Sequence, residues 1–302
     1  MTTTFATTEK EIAATEKEIG GAATRRAHNS SFRRLIERAD CLSVVITIGG
    51  VSVRVNTTDP NFLAMLQRRY AGFVSAEPHA EFDFDVNLTP PAFGDPDADV
   101  TVTYRSGRWL MQRGDFHAEW EPALRCGTIH QTANPYSIDA VLRIVHTLVL
   151  AKQGGFLLHS SSAIRNGKAF LFSGVSGAGK TTISRLAPAD ATLLTDEVSY
   201  VRREGNRYRA YGTPFAGELA RSGENCSAPI STLFLLEKGT RNSIEPIGTT
   251  EAIQRLLRNI LFFADDQELV KVVFQSACEF ASLVPIRRLV FVPDQRVWDI
   301  IR

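Results

Sequence analysis

A chain of 302 residues can bury one large core or two ordinary ones, and with 44% apolar and 22% charged residues it has the composition of a soluble globular protein, for which two domains are expected. The 34 Lys and Arg nearly balance the 33 Asp and Glu, leaving +1, which excludes the electrostatic footprint of a nucleic-acid or anionic-membrane binder. Cys41, Cys126, Cys226 and Cys278 are far apart and the N-terminus lacks an apolar signal core, so zinc sites, a disulfide framework and secretion are not indicated, and a cytoplasmic location is expected.

In chain order, residues 1–30 are Thr-, Ala- and Glu-rich and offer too little apolar surface to offset ordering entropy, so they are expected to be a disordered tail. Residues 31–136 read as a β-rich N-terminal domain. Val44–Ile48 and Val51–Val55 flank Gly49-Gly50 as a hairpin. Asp59-Pro60 opens a helix towards Tyr70, and Phe82–Leu88 alternates strictly, with its acids on the wet side. After a Pro/Asp/Gly loop at 90–97, short strands are predicted at Val100–Tyr104, Trp109–Gln112, Phe116–Trp120 and Thr128–Gln131.

Ser137 is read as the cap of a helix over Ile138–Lys152 that ends at Gly154-Gly155. Its apolar run Ala140–Leu150 holds Arg143 and His146 and is too short to cross a bilayer, so it is a core helix. Phe156–Ile164 and Lys168–Ser173 flank Asn166-Gly167, the strongest short hairpin signal. The strand entering the next loop is therefore expected to pair antiparallel with its predecessor, unlike the parallel βα units that lead to this loop in common NTPases.

That loop, Gly174-Val175-Ser176-Gly177-Ala178-Gly179-Lys180-Thr181, fits G-x-x-x-x-G-K-[ST] and is followed by Thr182 in a short helix stopped before Pro188. The glycines let backbone N–H groups approach phosphate oxygens, Lys180 would reach the β- and γ-phosphates, Thr181 would ligate Mg²⁺, and the helix start adds its positive dipole end. Residues 174–182 are thus the expected nucleotide-binding set. Leu193–Val198 follows as an apolar strand ending in Asp196-Glu197, which suits one carboxylate for the metal and one to accept a proton from an attacking hydroxyl. His159, on the adjoining strand, is placed to tune the acids or to take part in catalysis. A hairpin around Gly205-Asn206 leads to the Gly212–Glu218 turn, where Thr213, Glu218 and then Arg221 are candidates for an acceptor pocket. The remainder reads as a buried strand at Thr232–Leu236, a helix after Thr249-Thr250, another through Phe274 and Phe280, and a last strand at Arg288–Val292.

Leu158-His159-Ser160, the Asn-Gly hairpin, the 174–181 loop and Leu194-Thr195-Asp196-Glu197 together resemble the catalytic domain of HPr kinase/phosphorylase, and more closely the HPr-kinase-related proteins found beside peptide and cofactor biosynthesis genes. The resemblance covers residues 137–302. It implies a mixed α/β (α+β) P-loop domain of the phosphoenolpyruvate carboxykinase type behind the smaller β-rich domain, with ATP and Mg²⁺ as cofactors. It further implies His159, Lys180 and Asp196 as catalytic residues, Asp196 being the general base, and Thr181 and Glu197 on the metal side, where the family usually has Asp instead of Glu. No counterpart is found to the Arg- and Gly-rich segment that engages the family's protein substrate, which argues against HPr as acceptor and against phosphorolysis.

The expectation is therefore a kinase with an alcohol group as acceptor. A peptide, a protein or a small molecule would supply it, nucleic acid and membrane are not partners, and a homo-oligomer is left open. The alternative is a non-catalytic ATP-binding regulatory module.

Overall fold

The computed structural model describes residues 41–90, 95 and 98–302; the expected tail at 1–30 and most of the 90–97 loop lie outside them. Residues 43–302 form one compact unit of mixed α/β structure with two sheets and few helices. No helix among the described residues is long and apolar enough to cross a membrane.

Among the described residues the first sheet has seven strands. Strands β1 (Leu42–Ile48) and β2 (Val51–Thr57) meet at Gly49 (φ +59°) and Gly50 (φ +82°), a left-handed pair that suits a two-residue hairpin turn. Helix α1 (Pro60–Arg69) follows, with the Asp59 carboxylate accepting from the Phe62 amide at 2.8 Å and Pro60 at the first position. It returns the chain to β3 (Phe82–Leu88), parallel to β2. β4 (Thr101–Arg105), β5 (Arg108–Arg113), β6 (Phe116–Glu121) and β7 (Cys126–Gln131) complete the order β1-β2-β3-β7-β6-β5-β4. Period-2 alternation turns Val51, Val53, Val55, Phe82, Phe84 and Val86 inward, and each such side chain contributes roughly 1.5–3 kcal/mol by leaving water.

Helix α2 (Pro135–Lys152) packs into the same core. Its cap is Asn134, not Ser137: Asn134 Oδ1 accepts from the amides of Tyr136 and Ser137, and Pro135 occupies the first helical position. The helix begins with a polar turn upstream of its apolar stripe, and the Ser137 hydroxyl instead donates to Asp115 at 2.6 Å. The expected domain boundary at 136/137 falls in this first turn.

The second sheet holds β8 (Phe156–Arg165), β9 (Lys168–Ser173), β10 (Thr192–Thr195), β11 (Val198–Glu204), β12 (Arg207–Tyr211), β13 (Ser227–Lys238), β14 (Ser243–Glu245), β15 (Ile260–Leu261) and β16 (Ile286–Phe291). β8 and β9 pair antiparallel across Asn166 (φ +51°) and Gly167 (φ +73°), while the other edge of β9 pairs parallel with β13. Between β9 and β10 lies α3 (Lys180–Arg185), which Trp298 anchors by donating its indole N–H to the Ile183 carbonyl at 3.1 Å. The Trp298 ring also meets Phe172 edge-on, and Phe172 stacks on Phe234. Helices α4 (Thr249–Leu257) and α5 (Gln267–Leu283) cover a core of Phe156, Tyr208 and Phe280.

Within α2, His146 is wholly buried, edge-on to the Tyr200 ring, and neither ring nitrogen has a hydrogen-bond partner among the described residues. Burial pushes its pKa down to about 4. Between about 6.5 and 4 the unfolded chain therefore binds a proton that the folded one refuses, so stability falls as pH falls, by about 3 kcal/mol across the window. His146→Leu should remove that part of the slope in urea titrations run from pH 7 to pH 4.5; an unchanged slope would mean that the imidazole accepts a proton in the folded state.

Candidate functional site

Residues that are local in sequence build one wall of a cavity of about 510 Å³: Ser176, Gly177, Gly179, Lys180, Thr181 and Thr182. The loop turns where it does because Gly177 (φ +74°) and Gly179 (φ +110°) take left-handed backbone, and a Cβ on Gly179 would lie 2.6 Å from the Phe291 ring. Lys180 folds back across the loop and donates to the Gly174 carbonyl at 3.1 Å. Burial lowers its pKa, and the carboxylates of Glu197 and Glu218 act in the opposite direction. Of the expected phosphate-loop residues, Ala178 is buried beneath the loop, while Gly174 and the exposed Val175 face a second cavity of about 470 Å³.

The rest of the lining comes in part from the register of β8 and β11. Val198 pairs with His159, so Glu197, one residue upstream, comes to lie beside the imidazole, with Nδ1 3.5 Å from Oε1. His159 sits within β8, not at its end, and its ring lines both cavities. Burial lowers its pKa first, the Lys180 charge adds to that, Glu197 opposes it, and Arg143 lowers it further.

The acidic pair divides. The Thr195 hydroxyl accepts from the amides of Glu197 and Val198 at 3.1 Å each, bending the chain between β10 and β11 so that consecutive carboxylates face different ways. Glu197 lines the cavity. Asp196 is 2% exposed, does not line the cavity, and accepts from the amides of Gly217 at 3.0 Å and Leu219 at 2.8 Å. Asp196, the expected general base, thus clamps the 214–220 loop through these two bonds. Gly217 is needed for that approach, since a Cβ there would lie 2.8 Å from Glu197 Oε2 and 2.9 Å from Asp196 Oδ2.

The expected acceptor residues separate likewise. Glu218 lines the cavity with Ala216 and Gly217. Thr213 does not: it is fully buried, and its hydroxyl donates to the Val198 carbonyl at 2.9 Å, bracing β11. Arg221 is exposed and lines a different cavity, next to Thr192 and Glu224. One lining residue escaped the sequence reading. Arg143 reaches the cavity from α2, with its guanidinium 4.9 Å over the Phe215 ring. The available signal was a lone arginine inside an otherwise apolar run.

This cavity can hold an anion against the loop and Lys180, with the His159 imidazole and the Glu197 carboxylate in the same lining. Among curated proteins no match is found. The HPr(Ser) kinase/phosphatase from Coxiella burnetii is similar over 40% of this chain and 87% of its own, at 12% identity and a TM-score of 0.22. Residues 126–302, more than half of the chain and all of the cavity wall, match the family described as ScmC, SynChlorMet cassette protein ScmC, and the chain belongs to that family.

Proposed function

We propose that this protein is an ATP- and Mg²⁺-dependent kinase that transfers the γ-phosphoryl group to a hydroxyl, carried by a Ser of a peptide or protein or by a small hydroxylated metabolite. The observation that carries the reading is a single cavity lined both by the 176–182 segment with Lys180 and by the His159–Glu197 pair. The motif resemblance to HPr kinase/phosphorylase supports it, as does the antiparallel hairpin ahead of the loop, and with them a catalytic domain at 137–302 of the phosphoenolpyruvate carboxykinase type behind the β-rich 31–136.

In this reading the loop amides and Lys180 hold the triphosphate. Glu197 receives the Nδ1 proton side of His159, which leaves Nε2 of the neutral ring as the acceptor. The acceptor hydroxyl oxygen attacks the γ-phosphorus, the bond from that phosphorus to the bridging oxygen breaks, ADP leaves, and the hydroxyl proton passes to His159 Nε2. The donor chemistry fits Mg²⁺: Thr181, Glu197 and Glu218 present oxygens to one cavity. That ion is commonly held by one or two carboxylates with phosphate and water, so the absence of a three-residue His/Cys/Asp/Glu cluster among the described residues does not conflict with it. When bound, it supplies charge neutralisation at the β- and γ-phosphates.

The test is incubation with γ-labelled ATP and a lysate, followed by identification of what becomes labelled. Label should appear on a hydroxyl acceptor with the parent protein and not with Lys180→Ala. Tight ATP binding without any transfer would favour the regulatory-module alternative, and a melting temperature unmoved by Mg-ATP would sink the nucleotide reading itself.

A further inference from the structure

Arg143 is a half-buried cation that lines the cavity. Among the described residues its guanidinium forms no ion pair, and its Nε is buried with no hydrogen-bond partner. The nearest candidate on its own helix, Asp139, one turn earlier, is already engaged by Arg69 and the Tyr70 hydroxyl. What holds Arg143 in place is the face of Phe215, in the same segment that Asp196 clamps through Gly217 and Leu219. Burial lowers its pKa, Asp139 and then Glu197 oppose that, and Arg143 in turn lowers the pKa of His159. Partly burying an arginine without an anion costs free energy unless a ligand supplies that anion, and the planar fork of donors matches phosphoryl oxygens.

We propose that Arg143 binds the terminal phosphoryl group of the nucleoside triphosphate, opposite Lys180, and neutralises the charge that spreads over its oxygens during transfer. The inference rests on the nucleotide reading and adds to it a residue outside the phosphate-loop motif that distinguishes triphosphate from diphosphate. The aromatic platform fixes the guanidinium before the nucleotide arrives, so little reorganisation accompanies binding. The position also explains why the cation stands near a histidine that must stay neutral: the same charge that attracts the phosphoryl group opposes protonation of His159.

The experiment is calorimetry with Mg-ADP and with the Mg complex of the β,γ-imido analogue of ATP, on the full chain and on Arg143→Gln, Arg143→Lys and Arg143→Ala. A charge-assisted contact present only with the third phosphate should weaken the analogue by about 10- to 100-fold in the Gln and Ala variants while leaving ADP affinity unchanged, with Lys intermediate. Retained ADP affinity also shows that each variant is folded; if Ala does not fold, the nearly isosteric Gln and Lys variants carry the comparison. Equal weakening of both nucleotides, or of neither, overturns the assignment of Arg143 to the terminal phosphoryl group. Failure of the parent protein to bind either nucleotide overturns the nucleotide reading, and this inference with it.

Discussion

Replacing His159 with alanine is expected to lower phosphoryl-transfer turnover by about 10²- to 10⁴-fold, the range for loss of a positioned general base, while nucleotide affinity stays close to that of the parent. The split follows from the proposed roles: the imidazole lines the cavity beside Glu197 and would take the hydroxyl proton, while the loop and Lys180 would hold the triphosphate. The base works only as the neutral ring. Because burial, Lys180 and Arg143 together lower the His159 pKa, the acidic limb of the pH–turnover profile should lie below the 6.5 of an ordinary histidine, with activity falling as pH falls through it. Glu197→Gln removes the group that opposes this lowering, so the residual activity should show its acidic limb displaced further down. Asp196→Asn tests the rival assignment. An amide oxygen still accepts one of the two N–H bonds from the 217–219 segment, so this variant should retain most of the turnover, whereas a loss as deep as that of His159→Ala would make Asp196 the base after all.

The features legible in the sequence are those that depend on adjacent residues. Asn166-Gly167 and Gly49-Gly50 specify tight turns because their backbones must take positive φ, and Asp59-Pro60 marks a helix start by chemistry confined to one turn. The phosphate-loop motif is local in the same sense. What was hidden depends on contacts between distant segments. Asp196 and Glu197 are chemically near-equivalent neighbours, and only the Thr195 turn and the amides of a later loop decide which carboxylate opens to the cavity. Thr213 in a Gly- and Pro-marked turn reads as a candidate for the acceptor pocket, yet it is fully buried because its amide and hydroxyl tie β10 to β11. Arg143 looks like an interruption of an apolar helix until Phe215 is packed beneath it. Ser137 lost the cap to Asn134 because the first apolar residue of a helix need not lie next to its first residue.

Asp139→Ala should destabilise the fold by about 3–5 kcal/mol, the cost of removing one member of a buried charged network. Its carboxylate is 6% exposed and is the shared acceptor for Arg69 and for the hydroxyl of Tyr70, which is itself fully buried. Burial and the neighbouring carboxylate both hold the phenol well above its usual pKa, so Tyr70 donates as a neutral hydroxyl. Removing Asp139 leaves that hydroxyl and the Arg69 guanidinium without their acceptor, in a position where little water can replace it. Tyr70→Phe removes only one donor and should cost about 1 kcal/mol. Urea midpoints at constant slope would measure both, and the double variant should lose less than the sum because the two side chains share one bond. Arg143 lies one turn beyond Asp139; burial lowers its pKa and the acid opposes that. Restoring packing with Asp139→Leu, Tyr70→Phe and Arg69→Met together should recover much of the stability, since a buried ion pair can often be exchanged for apolar contacts at little loss.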